Sequence, residues 1–189
     1  MSRLQSFHLE VYGCQMNVHD AEIMAGILTD AGMRQAPSAE EADVILVVTC
    51  AVREKAETRA LGRAAQLCGL KGEEGLPLVG VCGCVAREHG RDLLQRLPKL
   101  DLVVGPDSYA DLPGLLAESG SGCSVEFRPE SYDGVRAVRR DFPRSFVTVM
   151  RGCDNRCSYC IVPYVRGRER SRSAGAVLET VPPVLEEAG

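Results

Sequence analysis

Val44-Ile-Leu-Val-Val-Thr49 is an uninterrupted apolar run in the first third of the chain. A strand that is apolar at successive positions is buried on both faces, which is typical of a parallel strand covered by helices. Two more β-prone segments, Phe7–Val11 and Leu78–Cys82, lie on either side of it in sequence. Segments with helical signals separate the three. The pattern predicts an α/β fold with an open, mostly parallel sheet and helices on both faces.

The same alternation extends over residues 1–135, which we predict to form one domain. It includes a short fourth strand at Leu102–Val104 and an edge strand at Cys123–Phe127. Residues 136–144 are predicted to be a basic linker. A second unit, residues 145–189, begins with a predicted strand at Ser145–Met150 and ends with a helix from Ala174 to Glu187. One strand, one loop and one helix cannot bury a core, so we expect an incomplete domain and a truncated chain.

Three cysteines occur within eight residues in the segment Cys153-Asp-Asn-Arg-Cys157-Ser-Tyr-Cys160. An iron–sulfur cube normally takes four thiolates, so three ligands leave one iron open to a substrate or cofactor. A zinc site prefers paired C-x-x-C units or Cys/His pairs, and neither follows in the sequence. The nine cysteines are odd in number and no secretory signal precedes them, which disfavours a disulfide framework. The segment predicts an iron–sulfur site, with zinc or redox thiols as the alternative.

A second triad consists of Cys14, Cys50 and Cys84, which are spaced by about one βα unit. Each follows the carboxyl end of a predicted strand and precedes a helix. These positions gather at one edge of an open α/β sheet, where ligands bind. Helix N-termini also favour a thiolate over a thiol. The triad predicts a second cluster site. The alternative is that these cysteines are small buried apolar residues, a role that fits Cys68, Cys82 and Cys123 better.

The net charge of −4 conceals an uneven distribution. Residues 136–172 contain ten arginines and only three acidic residues, whereas the rest of the chain is acidic. A basic block on an acidic body predicts a polyanionic partner, with nucleic acid foremost. Guanidinium groups bind phosphate oxygens bidentately, which suits the absence of lysine from the block. A solvated loop with local ion pairs is the alternative. The candidate nucleic-acid contacts are Arg166, Arg168, Arg170 and Arg172.

The composition is that of an ordinary soluble globular protein, with 45% hydrophobic and 25% charged residues. No apolar stretch approaches the roughly 20 residues that cross a bilayer. Thiol-rich cluster chemistry requires a reducing compartment. We therefore predict a cytoplasmic monomer that does not bind membranes.

Longer motifs surround both triads: Tyr12-Gly-Cys-Gln-Met-Asn17, Thr49-Cys-Ala-Val-Arg-Glu-Lys-Ala56, Gly83-Cys-Val-Ala86 and the segment from Gly152 to Arg172. With these motifs the chain resembles the radical-SAM methylthiotransferases over essentially its whole length. Gln-Met-Asn after Cys14 favours the members that thiomethylate dimethylallyladenosine beside the tRNA anticodon. Related members act on threonylcarbamoyladenosine in tRNA or on a ribosomal-protein aspartate, and both remain alternatives.

The resemblance implies two 4Fe–4S clusters and S-adenosylmethionine as cofactors. Cys153, Cys157 and Cys160 would hold the cluster that binds S-adenosylmethionine, with Tyr159 near its adenine. Cys14, Cys50 and Cys84 would hold the auxiliary cluster, which carries the sulfur inserted at C2 of the adenine ring. A second S-adenosylmethionine would supply the methyl group. The implied partners are the anticodon stem-loop of tRNA and an electron donor such as flavodoxin or ferredoxin.

Two departures from the family pattern matter. Val48 replaces the asparagine usual before Thr49-Cys50, which is expected to loosen hydrogen bonding around that ligand. The resemblance also implies a (β/α) barrel of which residues 145–189 would supply only the first strand, cluster loop and helix. We therefore predict little or no turnover by this chain alone, and a non-catalytic iron–sulfur or RNA-binding module is a further alternative.

Overall fold

A six-stranded parallel sheet forms the centre of the molecule. The structure, a computed structural model, describes residues 4–118, 121–129, 132–138 and 145–186. The strand order in the sheet is β2-β1-β3-β4-β5-β6, and every neighbouring pair is parallel. This arrangement confirms the predicted α/β class. The strands are β1 (Ser6–Tyr12), β2 (Arg34–Gln35), β3 (Val44–Thr49), β4 (Leu78–Gly83), β5 (Leu102–Val104) and β6 (Gly122–Ser124).

Helices connect successive strands and cover the sheet. Short 3-10 turns at Ala39–Glu41 and Tyr109–Asp111 complete the connections. The two-residue edge strand β2 is missing from the sequence prediction because a segment that short has no periodicity to detect. The helices are α1 (Gln15–Asp30), α2 (Glu54–Cys68), α3 (Cys84–His89), α4 (Asp92–Arg96) and α5 (Leu112–Glu118). No helix in the described ranges has the length and apolarity needed to span a membrane.

Strand β3 supplies both halves of the hydrophobic core. Leu46 and Val48 belong to the half that contains Met24 of α1, whereas Val47 belongs to the half that contains Leu67 of α2. All of these side chains are fully buried. Burial of each stabilises the fold by roughly 1.5–3 kcal/mol. The uninterrupted apolar run therefore forms a strand that is packed on both faces, as predicted from the sequence.

Residues 132–138 lie against α1 rather than extending into solvent. The Val138 N–H donates to the Glu22 carbonyl oxygen at 3.0 Å. A Cβ atom on Gly26 would overlap the Arg136 carbonyl oxygen, so glycine is required where the two backbones meet. The start of the predicted linker is thus anchored to the first domain. Most of that linker, residues 139–144, lies outside the described residues.

The second unit differs from its prediction at its start. Strand β7 (Met150–Arg151) pairs antiparallel with β8 (Arg170–Ser171), and residues 145–149 are irregular, so the predicted strand at Ser145–Met150 is wrong for all but its last residue. No parallel strand lies beside residues 145–149 in the part of the chain that the structure describes. Helices α6 (Val162–Arg166) and α7 (Ala174–Glu186) follow. The barrel of which this unit would be the start stays a prediction.

Candidate metal centre

The sheet register brings Cys14, Cys50 and Cys84 to one edge. Tyr12 pairs with Thr49, and Thr49 pairs with Gly83, so three neighbouring strands end level with one another. Cys50 and Cys84 follow their strands directly, and Cys14 lies two residues beyond β1. Adjacent strands are about 4.8 Å apart, so residues just past these ends are close neighbours. Parallel pairing therefore gathers three cysteines that are far apart in sequence.

Electrostatic contacts link the three sulfur atoms. Hydrogen bonding from the Cys50 thiol lowers the pKa of Cys14 to about 5, and the backbone N–H groups of Asn17 and Met16 contribute in the same direction. The proton stays on Cys50, whose pKa rises because of the same hydrogen bond and of burial. Burial also raises the pKa of Cys84, although Arg166 opposes this shift. The edge thus favours one thiolate even before a metal binds.

Asn17 fixes the positions of two of the strand ends. Its Oδ1 accepts a hydrogen bond from the Cys14 backbone N–H at 3.2 Å and lies 3.3 Å from the Cys14 sulfur, which donates to it only in the thiol form. Its Nδ2 donates to the Thr49 carbonyl oxygen at 3.2 Å, and the side chain is fully buried. Cys14 is the N-cap residue of α1, and Asn17 is the third residue of that helix. Asn17 thus holds the first two cysteine loops together.

Gly83 allows β4 to pass directly into α3. Its φ is +94°, and an added Cβ would lie 2.8 Å from the Thr49 carbonyl oxygen. Few residues other than glycine adopt this conformation, and none would fit the space. Cys84 is consequently the first residue of α3, whereas Cys50 lies in a loop before α2 and accepts the Val52 N–H at 3.4 Å. Cys84 therefore lies at a helix N-terminus as expected, whereas Cys50 does not.

A buried ion-pair cluster lies beside Cys84. Arg166 Nε donates to the Cys84 sulfur at 3.2 Å, and Arg166 Nη2 donates to Asp20 Oδ2 at 2.6 Å. Arg151 Nη2 donates to the other Asp20 oxygen at 3.2 Å. Burial raises the pKa of Asp20, but the two guanidinium groups outweigh it and hold that pKa below its usual value. Arg166 is only 7% exposed, so the predicted tRNA contact at this residue does not fit its environment.

Buried polar atoms without partners test whether an absent group would fit here. Thr49 Oγ1, the Tyr109 hydroxyl and Arg166 Nη1 are buried and have no hydrogen-bond partner. Such atoms are rare in folded proteins and often mark an unseen ligand. Thr49 directly precedes Cys50, and Arg166 touches Cys84. The donors and the sulfur atoms together suit a sulfur-rich, negatively charged group.

Neither cysteine triad forms a compact three-ligand group in the part of the chain that the structure describes. There, one group of three ligand atoms lies within 4.8 Å of one another, and it consists of Glu57, Glu88 and His89. Sulfur ligands of one tetrahedral zinc ion are about 3.8 Å apart, given Zn–S bonds of about 2.3 Å. Each triad includes at least one pair of sulfur atoms that is more widely separated, whereas Cys14 and Cys50 are in hydrogen-bond contact.

The Cys153–Cys160 loop is held mainly by its backbone. The Cys153 N–H donates to the Gly167 carbonyl oxygen at 3.1 Å, and the Cys160 N–H donates to the Cys157 carbonyl oxygen at 3.1 Å. Gly152, with φ of +75°, lies where a Cβ would overlap the Arg168 carbonyl oxygen. Cys157 is exposed, and the other two cysteines are half-buried. Tyr159 between them is 90% exposed, which leaves its ring accessible.

The other candidate tRNA contacts have different environments. Arg170 forms a paired contact with Asp107 at 2.9 and 3.0 Å. Arg172 pairs with Asp133 and is nearly buried. Arg168 is 90% exposed and has one long contact with Asp154. The basic block therefore neutralises acidic residues far away in sequence, and Arg168 is the candidate most open to a phosphate.

The three remaining cysteines belong to the hydrophobic core. Cys82 is fully buried in β4, Cys68 is buried at the end of α2, and Cys123 packs against the same core. Burial raises the pKa of each thiol. The burial of Cys68 and Cys82 agrees with the expected role of small apolar residues, and Cys123 is partly buried.

Comparison with known proteins matches residues 6–105 to the family described as "Uncharacterized protein family UPF0004". The chain belongs to this family. It is 42% identical to tRNA-2-methylthio-N(6)-dimethylallyladenosine synthase of Chlorobium phaeovibrioides, over 97% of the chain and 42% of that relative. It is 44% identical to a mitochondrial tRNA methylthiotransferase of Homo sapiens, over 99% of the chain and 33% of that relative. The chain thus spans less than half of the length of these proteins, and the resemblance to methylthiotransferases is confirmed.

Proposed function

We propose that this chain is part of a tRNA methylthiotransferase that inserts a methylthio group at C2 of dimethylallyladenosine beside the anticodon. The edge site formed by Cys14, Cys50 and Cys84 carries the proposal. It combines three converging cysteines with buried hydrogen-bond donors that lack a partner. The names of the similar proteins support tRNA as the substrate.

Two 4Fe–4S clusters are the proposed cofactors, together with S-adenosylmethionine. Cys14, Cys50 and Cys84 would hold the auxiliary cluster, and Cys153, Cys157 and Cys160 would hold the second. These groups supply one-electron chemistry, which an unactivated aromatic C–H bond requires and side-chain acids or bases cannot provide. The exposed Tyr159 is available to contact the adenine of S-adenosylmethionine.

The protein's own residues prepare the auxiliary site. Asn17 orients the Cys14 loop, and Gly83 sets the position of Cys84. Cys50 and Cys84 are buried, which keeps water away from the sulfur atoms. Arg166 places positive charge beside the Cys84 sulfur. The positive charge of Arg166 favours a thiolate at Cys84, whereas burial raises the pKa of Cys50 and Cys84 and opposes their ionisation.

The tRNA anticodon stem-loop and an electron donor such as flavodoxin or ferredoxin are the proposed partners. Arg168 is the candidate phosphate contact, because its guanidinium is exposed next to the Cys153–Cys160 loop. A cytoplasmic, monomeric protein stays a prediction.

The test is nucleoside mass spectrometry. The full reading frame that carries this chain would be expressed in a bacterial strain that lacks its own tRNA methylthiotransferase, with Cys84→Ala and Cys160→Ala as controls. We expect 2-methylthio-dimethylallyladenosine with the unaltered sequence and its loss in both variants. Methylthiolation of threonylcarbamoyladenosine or of a ribosomal protein instead would replace the substrate assignment. No methylthio product at all would favour the non-catalytic module.

A further inference from the structure

Arg166 carries a buried charge whose hydrogen bonding is incomplete. Its Nε reaches the Cys84 sulfur and its Nη2 reaches Asp20, but the buried Nη1 has no partner. Arg151 Nε is likewise buried without a partner, but Arg151 forms no bond to a sulfur atom among the described residues. A buried guanidinium donor without an acceptor is costly. The unsatisfied N–H is therefore expected to face a group that is bound when the site is loaded.

The charge balance around Asp20 leads to the same expectation. Arg151 and Arg166 share one buried carboxylate, so the three side chains carry an excess of one positive charge. A buried charge without a counterion is unfavourable, and a negative partner would remove the penalty. Thiolates at Cys14, Cys50 and Cys84 would supply that negative charge next to Arg166.

The arginine comes from the other part of the chain. Arg166 ends α6, six residues after Cys160, and α6 packs against α3, which begins at Cys84. The edge of the first domain is thus completed by the segment that follows the Cys153–Cys160 loop. A domain that contained the three cysteines alone would lack this donor.

We propose that Arg166 is a positioning residue of the auxiliary site, which holds the Cys84 sulfur through Nε and donates a second hydrogen bond, through Nη1, to the cluster bound there. The inference rests on the proposed auxiliary cluster. Hydrogen bonds to sulfur and nearby positive charge stabilise the reduced form of a cluster, so both raise its reduction potential. Arg166 is accordingly expected to set that potential, beyond any contribution to folding.

The experiment uses the full chain with Cys153, Cys157 and Cys160 changed to alanine, so that only the auxiliary site remains. The parent would be reconstituted anaerobically with iron and sulfide, and iron content and reduction potential would be measured. Arg166→Met removes both the sulfur contact and one bond to Asp20. Arg151→Met is the matched control, because Arg151 is as deeply buried and also bonds Asp20, but touches no sulfur.

We expect about four irons per chain in the parent and a more negative potential in Arg166→Met. Arg151→Met removes the same charge but no bond to sulfur, so its shift should be clearly smaller. Equal shifts in the two variants, or no shift in Arg166→Met, would overturn the role of Arg166. Absence of iron from the parent would instead refute the auxiliary cluster itself. If Arg166→Met fails to fold, the reduction potential of Arg166→Lys is measured in its place. Lysine keeps the charge but cannot bond sulfur and Asp20 together, so an unchanged potential contradicts the proposal and a lowered one supports it.

Discussion

The two cysteine triads are built in opposite ways. Cys14, Cys50 and Cys84 come from three strand ends and meet only because the sheet aligns β1, β3 and β4. Cys153, Cys157 and Cys160 lie in one loop of eight residues, where sequence spacing alone keeps them near one another. The first site therefore depends on the folding of the whole domain. The second depends on local backbone contacts.

Their surroundings differ in the same sense. The edge site has two buried cysteines and the half-buried Cys14, together with a buried arginine and buried polar atoms that have no hydrogen-bond partner. The loop site has an exposed Cys157 and an exposed Tyr159. The cysteines of the first triad are therefore held in a fixed environment, whereas those of the second are accessible to an incoming cofactor.

The largest effect is expected from Asp20→Leu. This change leaves the buried Arg151 and Arg166 without their shared carboxylate. Breaking a buried ion pair on one side costs about 3–5 kcal/mol, so the free energy of unfolding in denaturant should fall by that amount. Asp154→Leu is the control, because its contacts with Arg168 and with the Glu169 backbone N–H are exposed, and it should lower the free energy of unfolding by no more than about 1 kcal/mol. Equal effects of the two changes would contradict the buried cluster.

Gly83→Ala should separate the triads. The positive φ and the overlap with the Thr49 carbonyl predict a cost of about 1–3 kcal/mol, concentrated at the edge site. We expect iron bound by the edge site to be lost while the loop site keeps its iron, as measured by iron content after reconstitution. Gly62→Ala is the control, since its added Cβ meets nothing in helix α2 and should stabilise that helix by up to about 1 kcal/mol. Loss of iron from both sites in Gly83→Ala would show that they are not independent.

A smaller effect concerns the reactivity of Cys14 in the metal-free chain. Because the pKa of Cys14 is lowered to about 5, its thiolate should predominate above that pH. Alkylation by iodoacetamide, followed by mass spectrometry, should rise through pH 5 and level off near neutrality. Cys50→Ala removes the main cause of the shift, so the midpoint should move towards the ordinary thiol value of about 8.5. An unchanged midpoint in that variant would rule out the Cys50 hydrogen bond as the cause.

The smallest effect is expected at Arg168. If its exposed guanidinium contacts one phosphate of tRNA, Arg168→Gln should weaken binding slightly and reduce the slope of log affinity against log salt by about 1. Arg170→Gln tests the contrast, because Arg170 is paired with Asp107 and should affect the stability of the fold more than the salt slope. Binding that ignores ionic strength would speak against any phosphate contact.

Much of the first domain could be predicted from sequence because its strands are short apolar runs, and apolar runs such as Val44–Thr49 have one stable place in an α/β sheet. The gathering of Cys14, Cys50 and Cys84 followed from the rule that parallel strands end at one edge. The requirement for glycine at position 83 and the hydrogen bonds of Asn17 were not predicted, because both depend on contacts between different strands.

The arginine block shows the limit of charge patterns. Ten arginines in sequence indicate a basic surface, but they do not show which acidic residues of the same chain lie opposite. Arg166 pairs with Asp20, which is 146 residues away, and Arg170 pairs with Asp107, which is 63 residues away.

The predicted strand at Ser145–Met150 is wrong for a related reason. Its apolar residues have strand propensity, but pairing depends on a neighbour that local sequence does not reveal.

Iron counting tests the central claim of two separate iron sites most directly. The full chain would be reconstituted anaerobically as the unaltered sequence, as Cys14→Ala and as Cys157→Ala, with Cys68→Ala as the control for a core cysteine. Two independent 4Fe–4S sites predict about eight irons per chain, falling to about four in each of the first two variants and staying near eight in the control. A count that does not fall in Cys14→Ala, or that falls to zero in either variant, would contradict it.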